Sequence, residues 1–265
     1  MRSRGTSGWA GAEGLVFFAA VIECPFDVLE VRSGGCPAGT GAAGLLLVAT
    51  LTAMAAPVPE VSAFVSWDSK YVTEGRDNLD GPGLWSAAAD VAWLGFEGGV
   101  WHGVASTGGY REWNVYVARG IDLGPVEVGA SYTRLEFRGS AADGDNEVAG
   151  FLSADLPLGL TVASELVWST GAHGGFLQVQ LARTWEMGGG ALRVTPYVAQ
   201  GFDCGYVSKD FDGPNHFEVG AALETGLGEW VTLGVRASHS WAGGNLRHAG
   251  LGDLTWAGAQ VGVSF

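Results

Sequence analysis

The chain ends in a segment, residues 254–265, that reads LTWAGAQVGVSF. Every second side chain, counted back from the last residue, is apolar: Phe265, Val263, Val261, Ala259 and Ala257. The side chains between them are small or polar: Ser264, Gly262, Gln260 and Gly258. This two-residue period predicts a β-strand with one apolar and one polar face. The apolar face would lie in the core of a soluble sandwich, or face lipid in a membrane barrel.

The same two-residue period recurs along the chain and gives twelve predicted strands in all. The eleven earlier segments are residues 63–72, 84–92, 96–104, 111–119, 126–136, 147–156, 158–169, 176–184, 191–200, 216–225 and 230–241. No helical period competes with this alternation in any of them.

The composition favours the membrane interpretation. Among 265 residues there are 44 glycines and 11 tryptophans, whereas only 16% of the residues are charged. This suits β-structure with many turns and interfacial aromatic residues. The net charge of −14 argues against nucleic acid as a partner. Outside the N-terminal region, no run of about 18 apolar residues predicts a membrane-spanning helix.

The connections between the predicted strands alternate between long and short. The long connections are residues 73–83, 105–110, 137–146, 170–175, 201–215 and 242–252, and those between them are short. Outer-membrane barrels show this parity because both termini lie in the periplasm and the odd connections are external loops. The sequence therefore predicts an all-β fold: a transmembrane, antiparallel, up-and-down β-barrel of about 12 strands in a bacterial (Gram-negative) outer membrane. Aromatic residues near strand ends predict two interfacial girdles: Tyr71, Trp85, Trp93, Trp113, Tyr132, Trp168, Trp185, Trp230 and Trp241.

The N-terminal region, residues 1–55, is predicted to be a leader and residues 62–265 the barrel domain. An apolar run at 42–55 ends in the small-x-small pattern of a signal-peptide cleavage site. We place cleavage near Ala55 or Ala56, with Ser62 or Ala63 as a second position. The long distance from Met1 suggests a start codon assigned too early, and a retained anchor or pro-segment is the alternative.

One segment carries a resemblance to a known family. Residues 67–79, WDSKYVTEGRDNL, resemble the first strand and loop of the bacterial TorF-like porins, in which a strand ends in a Tyr-Val-x-x-Gly pattern. Residues 205–216 and 247–250 resemble loops of uncharacterised outer-membrane β-barrel relatives. The resemblance covers roughly residues 62–265. It implies an outer-membrane barrel and brings no established substrate or catalytic residues, and the long leader departs from the family pattern.

The polar face of the strands supplies candidate lumen-lining residues. They are Asp68, Lys70, Asp90, Glu112, Glu127, Glu165, Arg193, Glu218, Glu224 and Arg236. Because acids outnumber bases seven to three in this set, an open lumen would favour cations and neutral polar solutes. The predicted function is passive, porin-like transport of small polar or cationic solutes, with outer-membrane lipid as the surroundings. The alternative is a plugged lumen in which these charges pair as salt bridges.

Two other functional classes remain open: an outer-membrane hydrolase with a histidine at the rim, and a structural or adhesive barrel without flux. His216 lies near Asp210 and Asp212 in the sequence. His239 stands between two serines but on the opposite face of its strand, which hinders a direct dyad. We therefore predict no enzyme activity.

We also predict no cofactor and no metal site. After cleavage only Cys204 remains, so no disulfide or cysteine-based metal site is expected. The acidic segments 143–146 and 203–212 could bind Ca²⁺ through oxygen ligands, but solvated turns explain them as well. No oligomeric state follows from the sequence.

Overall fold

The structure, a computed structural model, describes residues 58–139 and 144–265, together with a short antiparallel pair, Leu15–Val16 with Pro25–Phe26. Apart from that pair, the predicted leader lies outside the described residues, and its removal stays a prediction.

Twelve long antiparallel strands form one sheet. They are β1 Glu60–Asp68, β2 Leu84–Trp93, β3 Phe96–Ala105, β4 Arg111–Asp122, β5 Val126–Arg138, β6 Gly144–Leu156, β7 Leu160–Ser169, β8 Gly174–Ala182, β9 Leu192–Cys204, β10 Asp212–Leu227, β11 Val231–Ala242 and β12 Leu254–Ser264. Each strand pairs with the next, and β12 pairs back with β1 from Ser264 opposite Ser62 to Gly258 opposite Asp68. The ring therefore closes, which leaves no sheet edge to be satisfied by water. The predicted antiparallel barrel of twelve strands is confirmed.

The remaining elements are short. A two-stranded ribbon pairs Val72–Thr73 with Arg76–Asp77, and Trp185–Met187 extends β8 along the start of β9. A 3₁₀ turn, Pro157–Gly159, joins β6 to β7, and a five-residue helix α1, Gly244–His248, precedes β12. No helix in residues 58–139 or 144–265 is both long enough and apolar enough to cross a membrane.

The two ends of the barrel differ as predicted. At one end the connections are tight: β2 and β3 are joined through Leu94 and Gly95, with φ of 55° and 74°. Two successive positive φ values are typical of a type I′ hairpin turn, whose twist matches that of the strands. The long loops gather at the opposite end, which we call the long-loop end, and the other is the short-turn end.

The outward face of the barrel is apolar and ringed by aromatic residues. Val65 and Val261 of paired strands are 53% and 50% exposed. Eight of the nine predicted girdle residues are exposed: Trp85, Trp93, Trp113, Tyr132, Trp168, Trp185, Trp230 and Trp241. An apolar band with aromatic residues near its margins is what a barrel surrounded by lipid requires.

Tyr71 is the exception, and the prediction that it belongs to a girdle is wrong. The predicted strand 63–72 ends at Asp68, and the last bond continuing the ladder with β12 joins the Ser69 amide to the Ala257 carbonyl at 2.8 Å. The chain then turns into the barrel, where Tyr71 is 9% exposed. Its interior partners, described below, account for this departure from the alternation.

Candidate channel lumen

The first long loop, residues 69–83, folds into the lumen, and we call it the inward loop. Near its start, the Tyr71 hydroxyl donates a hydrogen bond to Glu112 of β4 at 2.8 Å. The Tyr71 ring stacks on Trp101 of β3 with centroids 6.2 Å apart. At the tip of the loop, Thr73 and Glu74 are only 2% and 7% exposed. Residues 71–75 of the loop are thus packed against the inner wall.

The tip of the inward loop contacts the opposite wall. Asn215 of β10 donates from its side-chain amide to the Glu74 carbonyl at 2.5 Å. Gly75 has φ of 75°, and a Cβ there would lie 2.6 Å from the His216 ring. Only glycine combines this conformation with so close an approach. Because β4 and β10 lie six strands apart in a ring of twelve, the loop reaches from one wall of the barrel to the other.

The ribbon at the tip satisfies its own charges. Glu74 accepts hydrogen bonds from the Thr73 hydroxyl at 2.5 Å and from Arg76 at 3.1 Å. Lys70 pairs with Asp77 at 3.3 Å. Burial raises the pKa of the Glu74 carboxyl, and the neighbouring Arg76 guanidinium opposes that rise. This part of the inward loop therefore carries two acids and two bases, which form two ion pairs.

A buried polar network ties the inward loop to the other long loops. Asn245 of α1 donates to the Asn215 side-chain oxygen at 2.5 Å and to Asp203 at 3.1 Å. The Asp203 carboxylate also accepts the backbone amides of residues 206, 207 and 208 at 2.8 to 2.9 Å. Asn215 and Asp203 are each 0% exposed. Asn215, Asn245 and Asp203 together thus link the inward loop to β10 and to the last two long loops.

The three predicted lumen bases each lie against an acid. Arg236 of β11 makes a two-pronged bond to Asp68 of β1, at 3.0 and 2.6 Å. Arg193 pairs with Glu224 at 3.2 Å. Lys70 lies in the inward loop, not on a strand, and pairs with Asp77 as described above. Two of these three pairs join residues that were both in the predicted set.

Of the other five predicted acids, three accept hydrogen bonds from uncharged side chains. Glu112 accepts hydrogen bonds from Tyr71, Tyr110 and Asn114, at 2.6 to 2.8 Å. Asp90 accepts one from Tyr116, and Glu218 one from Tyr197, both at 2.5 Å. Glu218 also lies 3.8 Å from His216. The side-chain carboxylates of Glu127 and Glu165 form no hydrogen bond or ion pair with any other part of residues 58–139 and 144–265. The interior therefore keeps an excess of acid after its predicted bases are paired.

The sequence analysis missed several interior polar residues. Glu147 of β6 is 5% exposed and accepts a hydrogen bond from the Tyr206 hydroxyl. Its position in the alternation placed it on the polar face, so this signal could have added it to the set. Glu74 and Arg76 lie in a loop, where alternation gives no direction, and Asp203 is held by loop amides. These contacts could be found only in three dimensions.

Two of the spaces in the barrel bear on solute passage: one lies under the inward loop and one at the short-turn end. Beneath the loop lies a cavity of about 70 Å³, lined among others by Tyr71, Trp101, Glu218, Arg236 and Trp256. At the short-turn end lies a larger space of about 330 Å³, whose lining includes four acids: Glu60, Asp90, Glu97 and Glu229. The lumen is thus narrow under the loop and wider, with an acidic lining, at the other mouth.

The two candidate histidines have no serine among their hydrogen-bond partners in residues 58–139 and 144–265. His239 faces outward, where it bonds to the Thr255 hydroxyl at 2.7 Å and lies 4.5 Å from the Trp241 ring. Ser238 and Ser240, at 5% and 1% exposure, face inward, so the three side chains lie on opposite faces as the alternation predicted.

The second candidate histidine is also engaged elsewhere. His216 bonds to the Asn215 side chain at 3.0 Å and stacks on Phe176 with centroids 6.1 Å apart. No serine is among its hydrogen-bond partners in the described part of the chain.

In each of the two acidic segments considered for Ca²⁺, one aspartate is bonded to groups of a long loop. The Asp145 carboxylate accepts bonds from the Ser169 and Thr170 hydroxyls and from the Gly171 amide. Asp203 is occupied by the three backbone amides and by Asn245. Across residues 58–139 and 144–265, no group of three or more histidine, cysteine or acidic side chains is arranged to hold a metal ion.

Comparison with known proteins places the fold. No protein-family model and no curated protein matches the chain. Among solved structures, it is similar to a KdgM porin, with a TM-score of 0.56 and 10% identity, over 77% of this chain and 99% of that one. It is similar to a NanC porin, with a TM-score of 0.51 and 12% identity, over 77% and 98% of the two chains. A KdgM porin in complex with disordered oligogalacturonate gives a TM-score of 0.50 at 10% identity, over 78% and 98%. The chain therefore shares the fold of these porins, a closed antiparallel barrel of twelve strands.

Proposed function

We propose that this chain is an outer-membrane channel for the passive transport of small polar or cationic solutes. The observation that carries the proposal is the contrast between the two faces of one closed sheet. The outer face is an apolar band with aromatic margins, while the inner face holds buried charge. A barrel of this construction needs lipid outside and a polar content inside. The fold shared with the KdgM and NanC porins supports the same function.

The interior charge sets the preferred solute. Each predicted base lies against an acid, whereas Glu127 and Glu165 have no basic partner in the described residues. A charge surrounded by a low-dielectric wall acts over a longer distance than one in bulk water. We therefore propose that cations and neutral polar molecules pass more readily than anions. Nucleic acid is not a partner in this proposal, and no chemical step is catalysed.

A specific observation favours a second candidate, a structural barrel without flux. The inward loop crosses the lumen from wall to wall and leaves only a small cavity beneath it. If the loop closes the lumen completely, the barrel would not conduct ions. The same electrical recording distinguishes the two candidates.

The relation to the TorF-like porins is also part of the proposal. The residues that carry it, 67–79, form the end of β1 and most of the inward loop. The resemblance falls on a segment whose contacts require particular residues such as Gly75, and this supports a relation to that family. We further propose that residues 1–55 are a leader removed on export.

Planar-bilayer recording of the purified protein tests the proposal. We expect ion conductance with a reversal potential that indicates cation preference, and a stronger preference at low salt. Replacing Glu127, Glu165 and Glu218 together by glutamine should weaken the preference, because all three lie on the inner face of different strands.

The matched control neutralises three exposed acids at the long-loop end: Asp80, Asp210 and Asp212. Mobile ions screen such charges within about 8 Å at physiological salt, so selectivity should stay near that of the native protein. Anion preference, or equal effects of the two triple variants, would contradict the proposed selectivity. Absence of conductance would favour the barrel without flux.

A further inference from the structure

We propose that the inward loop, residues 69–83, is the constriction of this channel and that Glu74 at its tip sets the local charge selectivity. This inference rests on the proposed channel function. It requires that the loop cross the lumen and that it be fixed there. It also requires charged side chains at the tip, within the lumen. Each requirement is met by particular contacts.

The loop crosses the lumen on its two anchors. Tyr71 holds one end at Glu112 of β4, and the Glu74 carbonyl holds the tip at Asn215 of β10. These strands face each other across the ring of twelve. A solute moving along the barrel axis therefore has to pass beside a segment that spans the diameter.

The loop is fixed because its far anchor is a fully buried polar network. The Asn215 amide donates to Glu74, and its oxygen accepts from Asn245, which in turn bonds to Asp203. Releasing the loop would leave buried polar groups without partners, at about 1–3 kcal/mol for each group. At Gly75 the close approach of the His216 ring leaves no room for a side chain. The loop is thus held in one position and does not hang freely in the lumen.

The tip carries an acid that compensates a base inside the lumen. The Glu74 side chain is 6% exposed, whereas that of Arg76 is 32% exposed. Arg76 is bonded to Glu74 at 3.1 Å. Removing the Glu74 charge would therefore leave Arg76 as an uncompensated cation in the segment that crosses the lumen. Charged groups at a constriction decide which ions pass.

The test of the constriction is a deletion recorded in planar bilayers. Residues 72–77 are replaced by two glycines, which removes the ribbon and keeps Tyr71 and Asn78. We expect a several-fold rise in conductance and entry of larger neutral polymers, read from their effect on the current. The control deletes residues 140–143, which lie between β5 and β6 in the sequence, and should leave conductance unchanged. Heat-dependent gel mobility, which reports a folded barrel, is measured for both variants.

Point variants test the anchor and the charge separately. Asn215→Ala removes the far anchor without shortening the loop, and we expect higher and noisier conductance than in the native protein. Glu74→Gln should lower the cation-to-anion permeability ratio several-fold while single-channel conductance stays similar. The matched control is Asp80→Asn, an exposed acid of the same loop, which should leave the ratio unchanged.

The outcomes separate this inference from the proposed function. A conducting native channel whose conductance is unaltered by the ribbon deletion would overturn the constriction and leave the channel function intact. A closed native barrel that conducts after the deletion would support the loop as the obstruction. If neither protein conducts while both are folded, both proposals are wrong.

Discussion

At the scale of single residues, one buried ion pair lies at the seam of the barrel, where β12 pairs with β1. Asp68 and Arg236 lie on either side of β12, and their pair passes over Gly258, where a Cβ would lie 2.0 Å from the Asp68 carboxylate. Their side chains are 8% and 16% exposed. A buried ion pair contributes little net stability by itself, but losing one partner leaves a buried charge uncompensated.

We expect Arg236→Leu to lower the free energy of unfolding by about 3–5 kcal/mol, the cost of breaking a buried pair. Urea titration of the barrel in detergent, followed by tryptophan fluorescence, measures this. Adding Asp68→Asn to Arg236→Leu should recover part of the loss, because the orphaned charge is then gone.

The control is Arg134→Gln, which breaks a pair with Glu136 whose side chains are 40% and 56% exposed. Exposed pairs contribute about 0–1 kcal/mol, so this variant should stay near the native stability. Equal losses for Arg236→Leu and Arg134→Gln would show that the seam pair is not buried as the structure places it.

Tyr71 shows how far sequence reasoning extends at this scale. The alternation that places Trp67 outward was continued through residue 71, but β1 has already ended at Asp68. Beyond the last ladder bond, the direction of a side chain is set by tertiary partners, here Glu112 and Trp101. The sequence contains those partners but not the information that they are close.

At the scale of elements, the two-residue alternation was sufficient to predict the strands. All twelve strands lie where the two-residue period predicted them, because each face of a barrel strand meets a different solvent. Strand ends moved by a few residues, and β10 extends to sixteen residues, Asp212–Leu227. The alternation of long and short connections was also predictable, because outer-membrane barrels have short periplasmic turns and longer extracellular loops.

Neighbouring substitutions in β8 test the assignment of its two faces. Val179 faces outward, and Gln178 lines the interior cavity. We expect Val179→Arg to destabilise the barrel by about 2–4 kcal/mol, the cost of a cation near the middle of the lipid face. Gln178→Arg should cost clearly less, because its charge enters an interior rich in acids. Unfolding in lipid vesicles compares the two, and equal losses would refute the assignment.

At the scale of the whole molecule, closure could be predicted but the content of the lumen could not. Closure follows from the need to pair every backbone group in lipid. The crossing loop depends on contacts such as Glu74 with Asn215, which are 141 residues apart. No periodicity links such positions. The question whether the interior charges pair was left open by the sequence, and the structure answers it in part, since bases are paired and acids remain in excess.

The leader belongs to this scale too and remains a prediction. We expect mass spectrometry of protein extracted from outer membranes to give an N-terminus near Ala56, because the small-x-small pattern ends at Ala55. Protein isolated before export serves as the control and should keep the preceding residues. Recovery of the segment from Met1 to Arg32 in the outer-membrane material would contradict the prediction.

The anchoring of the inward loop has a consequence for the order of assembly. The loop follows β1, the first strand of the barrel, yet its tip is held by β10. Asp68 of β1 likewise pairs with Arg236, which lies 168 residues later in the chain. During folding the tip of the loop therefore has no docking place until β10 has formed. Contacts so distant along the chain form slowly, since closing large loops costs entropy before any contact forms. The loop can therefore take up its final position only after the strands that hold its tip have formed, which makes the obstruction of the lumen a late step of folding.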